Sequence, residues 1–529
     1  MSTPEPSAAG APEPRIAEAA EPATPAAPAA VGRLADGEWH RLHPATPLLR
    51  GGIAFVAILG VLVTNFRDRL VELAVGIEEE GDPFDFLLER GLLLPLLGGA
   101  ILIIGIGILG FWLSWRFNRF RITDEVVDVR SGILFRTQRQ ARLDRIQGVN
   151  ITRPLIPRLF GAARLEISVA GQDANVRLSY LRSDQVDGLR RDVLTLASGA
   201  KRGGTDEVDR VRSGLVQQRV DEFLAPELDP TEAEPDSIVR IPPGRLIGSI
   251  VLNEGTLVLI LALAIGLPWA LSNGAWYALI GAFPAVLGMA SYVVNRFTRS
   301  LRYSIAGTPN GVRVGYGLLT TSNQTLPPGR IHAVAVRQPL LWRPAGWWTI
   351  TINIANSSSS SNGGANPATT VLPVGTRDDV FRVLGLLLPE LSAPEAAGVV
   401  ATGLEGKGGD DGFVNAPARA VWLLPFSWRR TGFTLTRSTV LLRTGRIWRS
   451  LVIVPQARLQ SVSLSQGPIR RALGVAGVHP HTVTGPVGTR LTAVGTAQAV
   501  EFFEDVAAAA VTSGEADTTH RWRAAGGVA

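Results

Sequence analysis

Residues 91–115 read GLLLPLLGGAILIIGIGILGFWLSW, twenty-five residues without a charge, and arginines follow at once at 116, 119 and 121. An uncharged run of that length can cross a bilayer as a helix. Behind it comes FRITDEVVDVRSGILFRTQRQARLDRIQGVNITRPLIPRLFGAARLEISV, short β-branched runs separated by turn residues, closing on an amphipathic stretch at 183–196. The spacing predicts strands first and one closing helix. The unit recurs twice. Gly132, Arg145 and Gly161 have the same intervals, 13 and 16 residues, as Gly317, Arg330, Gly346 and as Gly445, Arg458, Gly474. Three copies of one internal spacing mark an internal repeat.

Working outward, residues 1–45 are mostly Ala, Pro and Glu and are expected to be a disordered tail, because they carry too little apolar surface to offset ordering entropy. No basic n-region leads into an apolar h-region there, so a signal peptide is not expected. A first membrane run at 47–66 and the run at 91–115 form one hairpin (47–115), joined by an acidic loop. A second hairpin (246–294) is joined by a short SNG turn. Arginines cluster after the second and fourth runs, at 116–121 and at 296, 299 and 302. By the positive-inside bias both termini and all modules face the cytoplasm. Modules occupy 116–198, 296–391 and 420–511, with linkers at 199–240 and 392–416 and a disordered tail at 513–529. The third module follows only a nine-residue apolar run, 420–428, too short to span. Its linker is expected to let it either dock on its siblings or reach a partner, with docking favoured by the apolar run.

Within each module a small polar residue opens the closing helix, at Ser183, Thr376 and Thr496, and apolar residues such as Val186, Leu189 and Val193 keep helical spacing. The expected fold class is α+β: four transmembrane helices in two hairpins, plus three modules, each a small bent sandwich or partly open barrel plugged by its C-terminal helix.

These residues carry a resemblance. Arg121-Ile122-Thr123, Gly132-Ile133-Leu134, Arg145-Ile146-Gln147-Gly148-Val149, Pro154 and Arg158-Leu159-Phe160-Gly161 resemble the bacterial pleckstrin-homology (PH) membrane proteins of the YdbS/YdbT type. The likeness runs from about residue 48 to 508. The second copy departs in its first turn and in a Ser/Gly/Asn-rich insert at 356–366, and the third carries its proline one place late, at Pro468. The resemblance implies a PH-like fold at the cytoplasmic face of a bacterial plasma membrane. It implies a protein partner in that membrane, such as a smaller related PH-domain protein, and leaves room for a homo-oligomer. It brings no catalytic residues.

Composition bounds the chemistry. The 529-residue chain has no cysteine, which excludes disulfides, a thiol nucleophile and a Cys-based metal site. Its net charge of +6 is carried by arginine, with lysine only at 201 and 407, a bias that fits a GC-rich genome. Mean hydropathy is +0.19, apolar for a soluble protein. Nothing resembles a catalytic set, the HPH at 479–481 is too short a cluster for a metal, and no cofactor or nucleic acid is expected. The candidate contacts for an anionic headgroup or a partner are Arg139, Arg142, Arg145, Arg330 and Arg458. The recurring three are read first as structural, pairing with local carboxylates or carbonyls. Asn253 and Glu254 fall inside the third run. A proton relay is one reading; the simpler one is that the helix enters late, near Gly255. The favoured function is a non-enzymatic membrane scaffold presenting PH-like modules. The alternative is a component of a transport, export or envelope-stress resistance system using the four helices.

Overall fold

The computed structural model describes residues 34–44, 46, 93–132, 136–169, 175–197, 239–274, 278–308, 311–318, 320–327, 329–355 and 369–517. The expected first membrane run, the acidic loop, nearly all of the 199–240 linker and the 356–366 insert lie outside them.

Each module begins with a two-residue strand, is interrupted by an insert, and then resumes. Module 1 has β1 (His40–Arg41), α1 (Leu93–Phe117) within its insert, β2 (Arg119–Ile122), β3 (Val126–Ser131), β4 (Thr137–Arg142), β5 (Ile146–Arg153), the short α2 (Leu155–Leu159), β6 (Ala162–Val169), β7 (Val176–Arg182) and the closing α3 (Ser183–Ala197). Module 2 has β8 (Val239–Arg240), then α4 (Pro243–Val251), α5 (Glu254–Ser272) and α6 (Ala278–Ser300). Strands β9 (Ser304–Thr308), β10 (Gly311–Tyr316), β11 (Thr321–Leu326), β12 (Ile331–Gln338), β13 (Trp348–Ile354) and β14 (Thr370–Gly375) follow, with α7 (Arg377–Leu387) closing. Helix α8 (Pro394–Glu405) leads into module 3: β15 (Val414–Asn415), a 3-10-turned insert, β16 (Gly432–Leu435), β17 (Thr439–Thr444), β18 (Arg449–Pro455), β19 (Ser461–Ser465), α9 (Pro468–Ala472), β20 (Val475–His481), β21 (Leu491–Gly495) and α10 (Thr496–Ala516).

The modules are joined strand to strand. The sheets run β1-β2-β3-β4, then β7-β6-β5-β11-β10-β9-β8, then β14-β13-β12-β18-β17-β16-β15, then β19-β20-β21. Antiparallel pairing of β5 with β11 (Ile151 opposite Asn323) joins modules 1 and 2, and pairing of β12 with β18 (Val336 opposite Leu451) joins modules 2 and 3. An unpaired edge is a template for pairing with another chain. Here the β5 edge of module 1 is closed by module 2 and the β12 edge of module 2 by module 3. Alternation along β12 then sends Val334 and Val336 into one core with module 2's closing helix, and Ala333 and Ala335 into the other with Phe502 and Val506 of module 3. The shared sheet is the wall between two cores. The core of module 1 is its own, with Phe120, Ile151 and Leu165 packed against Val186, Leu189 and Val193 of α3.

The repeated glycines have a conformational reason. Gly132, Gly317 and Gly445 end the second long strand of each module at φ +106°, +106° and +74°. Gly161, Gly346 and Gly474 follow the proline turn at +65°, +65° and +62°. Side chains other than glycine rarely adopt this region. A Cβ on Gly445 would also collide with the carbonyl oxygen of Trp448, whereas one on Gly346 would meet nothing within 4 Å.

Several boundaries differ from expectation. The end of the N-terminal tail is folded: β1 pairs with β2, and Ala35 and Leu42 are buried in the core of module 1. Val239–Arg240 is the first strand of module 2 rather than linker. Residues 246–251 belong to α4, with Leu246 and Ile250 buried; Asn253 caps a separate helix, so the long apolar helix starts only at Glu254. At the far end, α6 continues to Ser300. Module 3's closing helix extends to Ala516 and Asp517 is held by Arg458 (2.5 Å), past the expected tail boundary.

The 392–416 segment is not a flexible linker. A 3-10 turn (Pro389–Ser392) and α8 bury Leu391, Val400 and Leu404 in the core shared with module 2. The end of α8 is pinned by buried Arg430, whose guanidinium donates to the carbonyls of Gly403, Leu404 and Gly406 and to those of Thr444 and Gly445 (2.6–3.0 Å). A cation suits the carbonyl end of a helix. Burial first, and then neighbouring Arg443, pull Arg430 down to about 9, so it stays charged at neutral pH. Fully buried Arg443 pairs with Asp411 (2.7 Å) and lies over the ring of Phe413.

Of the capping residues, Thr376 forms a full capping box with Asp379, while Ser183 and Thr496 are the first helical residues. Among the described residues α5 is long and apolar enough to cross a membrane. Helix α1 has 25 residues and no charge before Arg116.

Two outcomes are expected in detergent. Gly346→Ala should cost only the left-handed backbone penalty, about 1 kcal/mol, and Gly445→Ala measurably more, both read as shifts in thermal unfolding. Limited proteolysis should spare 394–416 in the native protein. Arg430→Ala, which leaves buried carbonyls without donors at roughly 3 kcal/mol, should open that segment to cleavage; equal resistance of the variant would show that the guanidinium does not pin it.

Candidate functional site

The junctions between modules are built by arginine. Asp187 on α3 is half-buried against Arg153 of β5 (2.6 Å), Arg190 of its own helix (3.7 Å) and Arg313 of β10 (3.9 Å). Burial alone would raise its pKa; the three guanidiniums outweigh that and hold it below the usual value. Arg313 also donates to Asn323 on β11 (2.8 Å), and Ser322 bonds Asn150 on β5 (2.9 Å). This charge-satisfied cluster crosses the seam between modules 1 and 2. The sequence reading missed it, because its partners are scattered through the chain and no local spacing links them.

The five arginines singled out from sequence do not converge on one pocket. Arg139, on exposed β4, reaches the Asn175 carbonyl (3.4 Å). Arg142 forms an exposed pair with Asp144 (3.2 Å), and Arg145 is exposed at the end of the next turn. Arg330, the equivalent of Arg145 in module 2, donates back to the Asp144 carbonyl (3.0 Å), and Arg458 in module 3 pairs with Asp517. Arg330 is lowered from its ordinary value by burial and then by Arg458. His332 lies between them. Burial, then the Arg458 charge, push its pKa down to about 4.

A second convergence lies at the start of α5. The Glu254 carboxylate accepts from Trp448 Nε1 in the β17–β18 turn of module 3 (2.6 Å) and is 3.4 Å from the backbone amide of Leu340 in the proline turn of module 2. Beside it Arg343 donates to the carbonyls of Arg446 and Ile447. Glu254 occupies the first turn of its helix, where the positive end of the helix dipole favours a carboxylate. Its geometry is that of a clasp between the apolar helix and two modules. Elsewhere the rings of His479 and His481 lie 3.9 Å apart, tilted by 44°, and His481 bonds Ser463 (2.8 Å). No group of three or more metal-ligating side chains is found among the described residues.

The His332 environment predicts a pH effect. The folded protein keeps this imidazole neutral down to about 4, whereas the unfolded chain protonates it near the ordinary 6.5. Between those values the unfolded state binds more protons, so stability present above pH 6.5 is lost as pH falls through that window. Thermal unfolding at pH 7 and pH 4.5 should show a larger loss for the native protein than for His332→Gln. Equal losses would remove His332 from the account.

The bacterial PH domain family matches three times, at 74–197, 247–391 and 380–510, together well over half of the chain. The first two segments cover modules 1 and 2 with parts of their inserts, and the third runs from within α7 through module 3. The UPF0699 transmembrane protein YdbT of Bacillus subtilis (strain 168) is 20% identical over 318 residues, 55% of this chain and 62% of that relative. The match thus spans about three fifths of the relative's length. No solved structure matches. The repeated glycines, the three-module sheet arrangement and the triple match agree: this chain is a member of the bacterial PH domain family, carrying three copies in one polypeptide.

Proposed function

We propose that this membrane protein is a non-enzymatic platform, in which four transmembrane helices in two hairpins hold a body of three PH-like modules at the cytoplasmic face of the plasma membrane. One observation carries the reading: the modules share continuous sheets and clasp the first turn of an apolar helix through Glu254, Leu340 and Trp448. A body of that kind offers a large rigid surface at a fixed height above the bilayer. The buried ionisable groups described above are spent on holding modules together. The exposed Arg139, Arg142 and Arg145 of module 1 supply a basic face for a protein partner or an anionic headgroup, each charge being worth about 1 kcal/mol near an anionic leaflet. The transport alternative leaned on Asn253 and Glu254 as polar residues within a span; with both at a helix start, it has less to stand on.

Reporter fusions after Ala200 and at the C-terminus should both give cytoplasmic signals, and a periplasmic signal at either would overturn the topology. Affinity capture from detergent-solubilised membranes, followed by mass spectrometry, should recover a membrane protein partner. Capture should fall with the triple variant Arg139→Glu, Arg142→Glu, Arg145→Glu. Recovery of the chain alone would argue against a platform.

A further inference from the structure

In every module the chain leaves a two-residue strand, makes an excursion and returns to pair beside it: β1 with β2, β8 with β9, β15 with β16. The excursion covers 42–118 in module 1, 241–303 in module 2 and 416–431 in module 3. The first two contain the long apolar helices. The third is short and non-spanning, yet it is not polar. It reads APARAVWLLPFSWRRT. Ala420 is buried in a cluster with Val475 and Ala493, and Leu423, Leu424 and Trp428 pack against it, which fixes the backbone on module 3. Trp422 and Phe426 point outward, at 82% and 70% exposure, above even Ile265 and Trp269 of the apolar helix α5 (69% each). Leaving two large aromatic rings in water on an otherwise anchored loop forgoes their burial, and exposed apolar surface of this kind marks a contact.

What covers it follows from where the loop is tied. Arg430, at its end, donates to Thr444 and Gly445, which open the β17–β18 turn; Trp448, in the same turn, donates to Glu254 at the first turn of α5. The third excursion is therefore linked by two short steps to the point where an apolar helix begins. A second element marks the same level. In modules 2 and 3 the proline turn packs beside the excursion: Trp347 against Gly248 of α4 in module 2, and Leu473 against the loop itself in module 3. The proline turns also present exposed apolar side chains, Leu159 and Phe160 in module 1, Leu340 in module 2 and Ile469 in module 3. Arginines flank the loop at 419 and 429, with Arg470 and Arg471 on neighbouring α9. Aromatic rings beside arginines are the composition of a membrane interface, where the ring sits among headgroups and the guanidinium reaches anionic phosphate.

We propose that 418–430 is a monotopic membrane anchor. Trp422 and Phe426 enter the headgroup region of the leaflet from which α5 starts, so that module 3 holds the bilayer without crossing it. This rests on the membrane reading of the chain and adds a third, non-spanning attachment to it.

The absence of cysteine makes the test direct. Single-cysteine full-length variants Trp422→Cys, Phe426→Cys and Val421→Cys are labelled with an environment-sensitive fluorophore and reconstituted in phosphatidylcholine–phosphatidylglycerol vesicles containing brominated lipid. Val421→Cys leaves both aromatics in place and serves if either replacement fails to fold. Ile260→Cys, in α5, is the membrane control; Arg437→Cys, in the β16–β17 turn at the far end of the strand that leaves the loop, is the aqueous one. Strong quenching by brominated lipid is expected at 260, 421, 422 and 426, with none at 437. Quenching at 260 but not at 421–426 would overturn the anchor, whether those labels prove open to aqueous iodide or shielded by a second copy or a protein partner. Lack of quenching at 260 would instead overturn the membrane reading itself, and the anchor with it.

Discussion

Edge-to-edge pairing of β5 with β11 and of β12 with β18 is the constraint on which the rest of the molecule depends. A PH-like module ends each sheet in an open strand, and an open strand in a crowded membrane protein invites pairing with another chain. By placing three copies in one polypeptide, the chain closes the edges at β5, β11, β12 and β18 internally. The cost is that each module loses independence. Leu441, Leu451 and Ile453 of module 3 lie in the core of module 2, and Ala333 and Ala335 of module 2 lie in the core of module 3. Removing module 3 would uncover that core as well as shorten the sheet.

Burying a seam between sheets requires that its polar groups be satisfied, and arginine meets that requirement here. Its planar fork can serve several carbonyls or a carboxylate at once. Arg430 gathers the carbonyl end of α8 and the Gly445 turn; Arg443 is paired with Asp411; Arg153, Arg190 and Arg313 surround Asp187. An arginine bias that composition assigns to codon usage is thus put to structural use at the joints.

The place of the excursion within the repeat explains the relation of the modules to the apolar helices. Because the helices are inserted between two paired strands, both ends of each excursion are fixed to one sheet edge. A module cannot swing freely about its helices. Trp448 and Leu340 at Glu254 add a lateral clasp, so that module 3, which contributes none of the long helices described, is nonetheless held at their base.

The three modules, the run of strands ahead of each closing helix and the repeat spacing of the glycines were legible in the sequence, because each is a local property. Hydrophobic period, turn chemistry and repeat spacing are written in neighbouring residues. The placement of Arg330 and Arg458 against a carbonyl and a carboxylate belongs to tertiary structure even though their spacing does not. So does the folding of 392–416, whose apolar side chains are too sparse to announce a core until module 2 supplies the other half. Strand β11 makes the same point most sharply. TSNQTL is polar but for its last residue, Leu326, yet it is buried in the middle of a seven-stranded sheet. No periodicity could have assigned it there. Its backbone bonds on both sides and its side chains' partners, Asn150 and Arg313, arrive from segments distant in the chain, and only their convergence makes a buried polar strand stable.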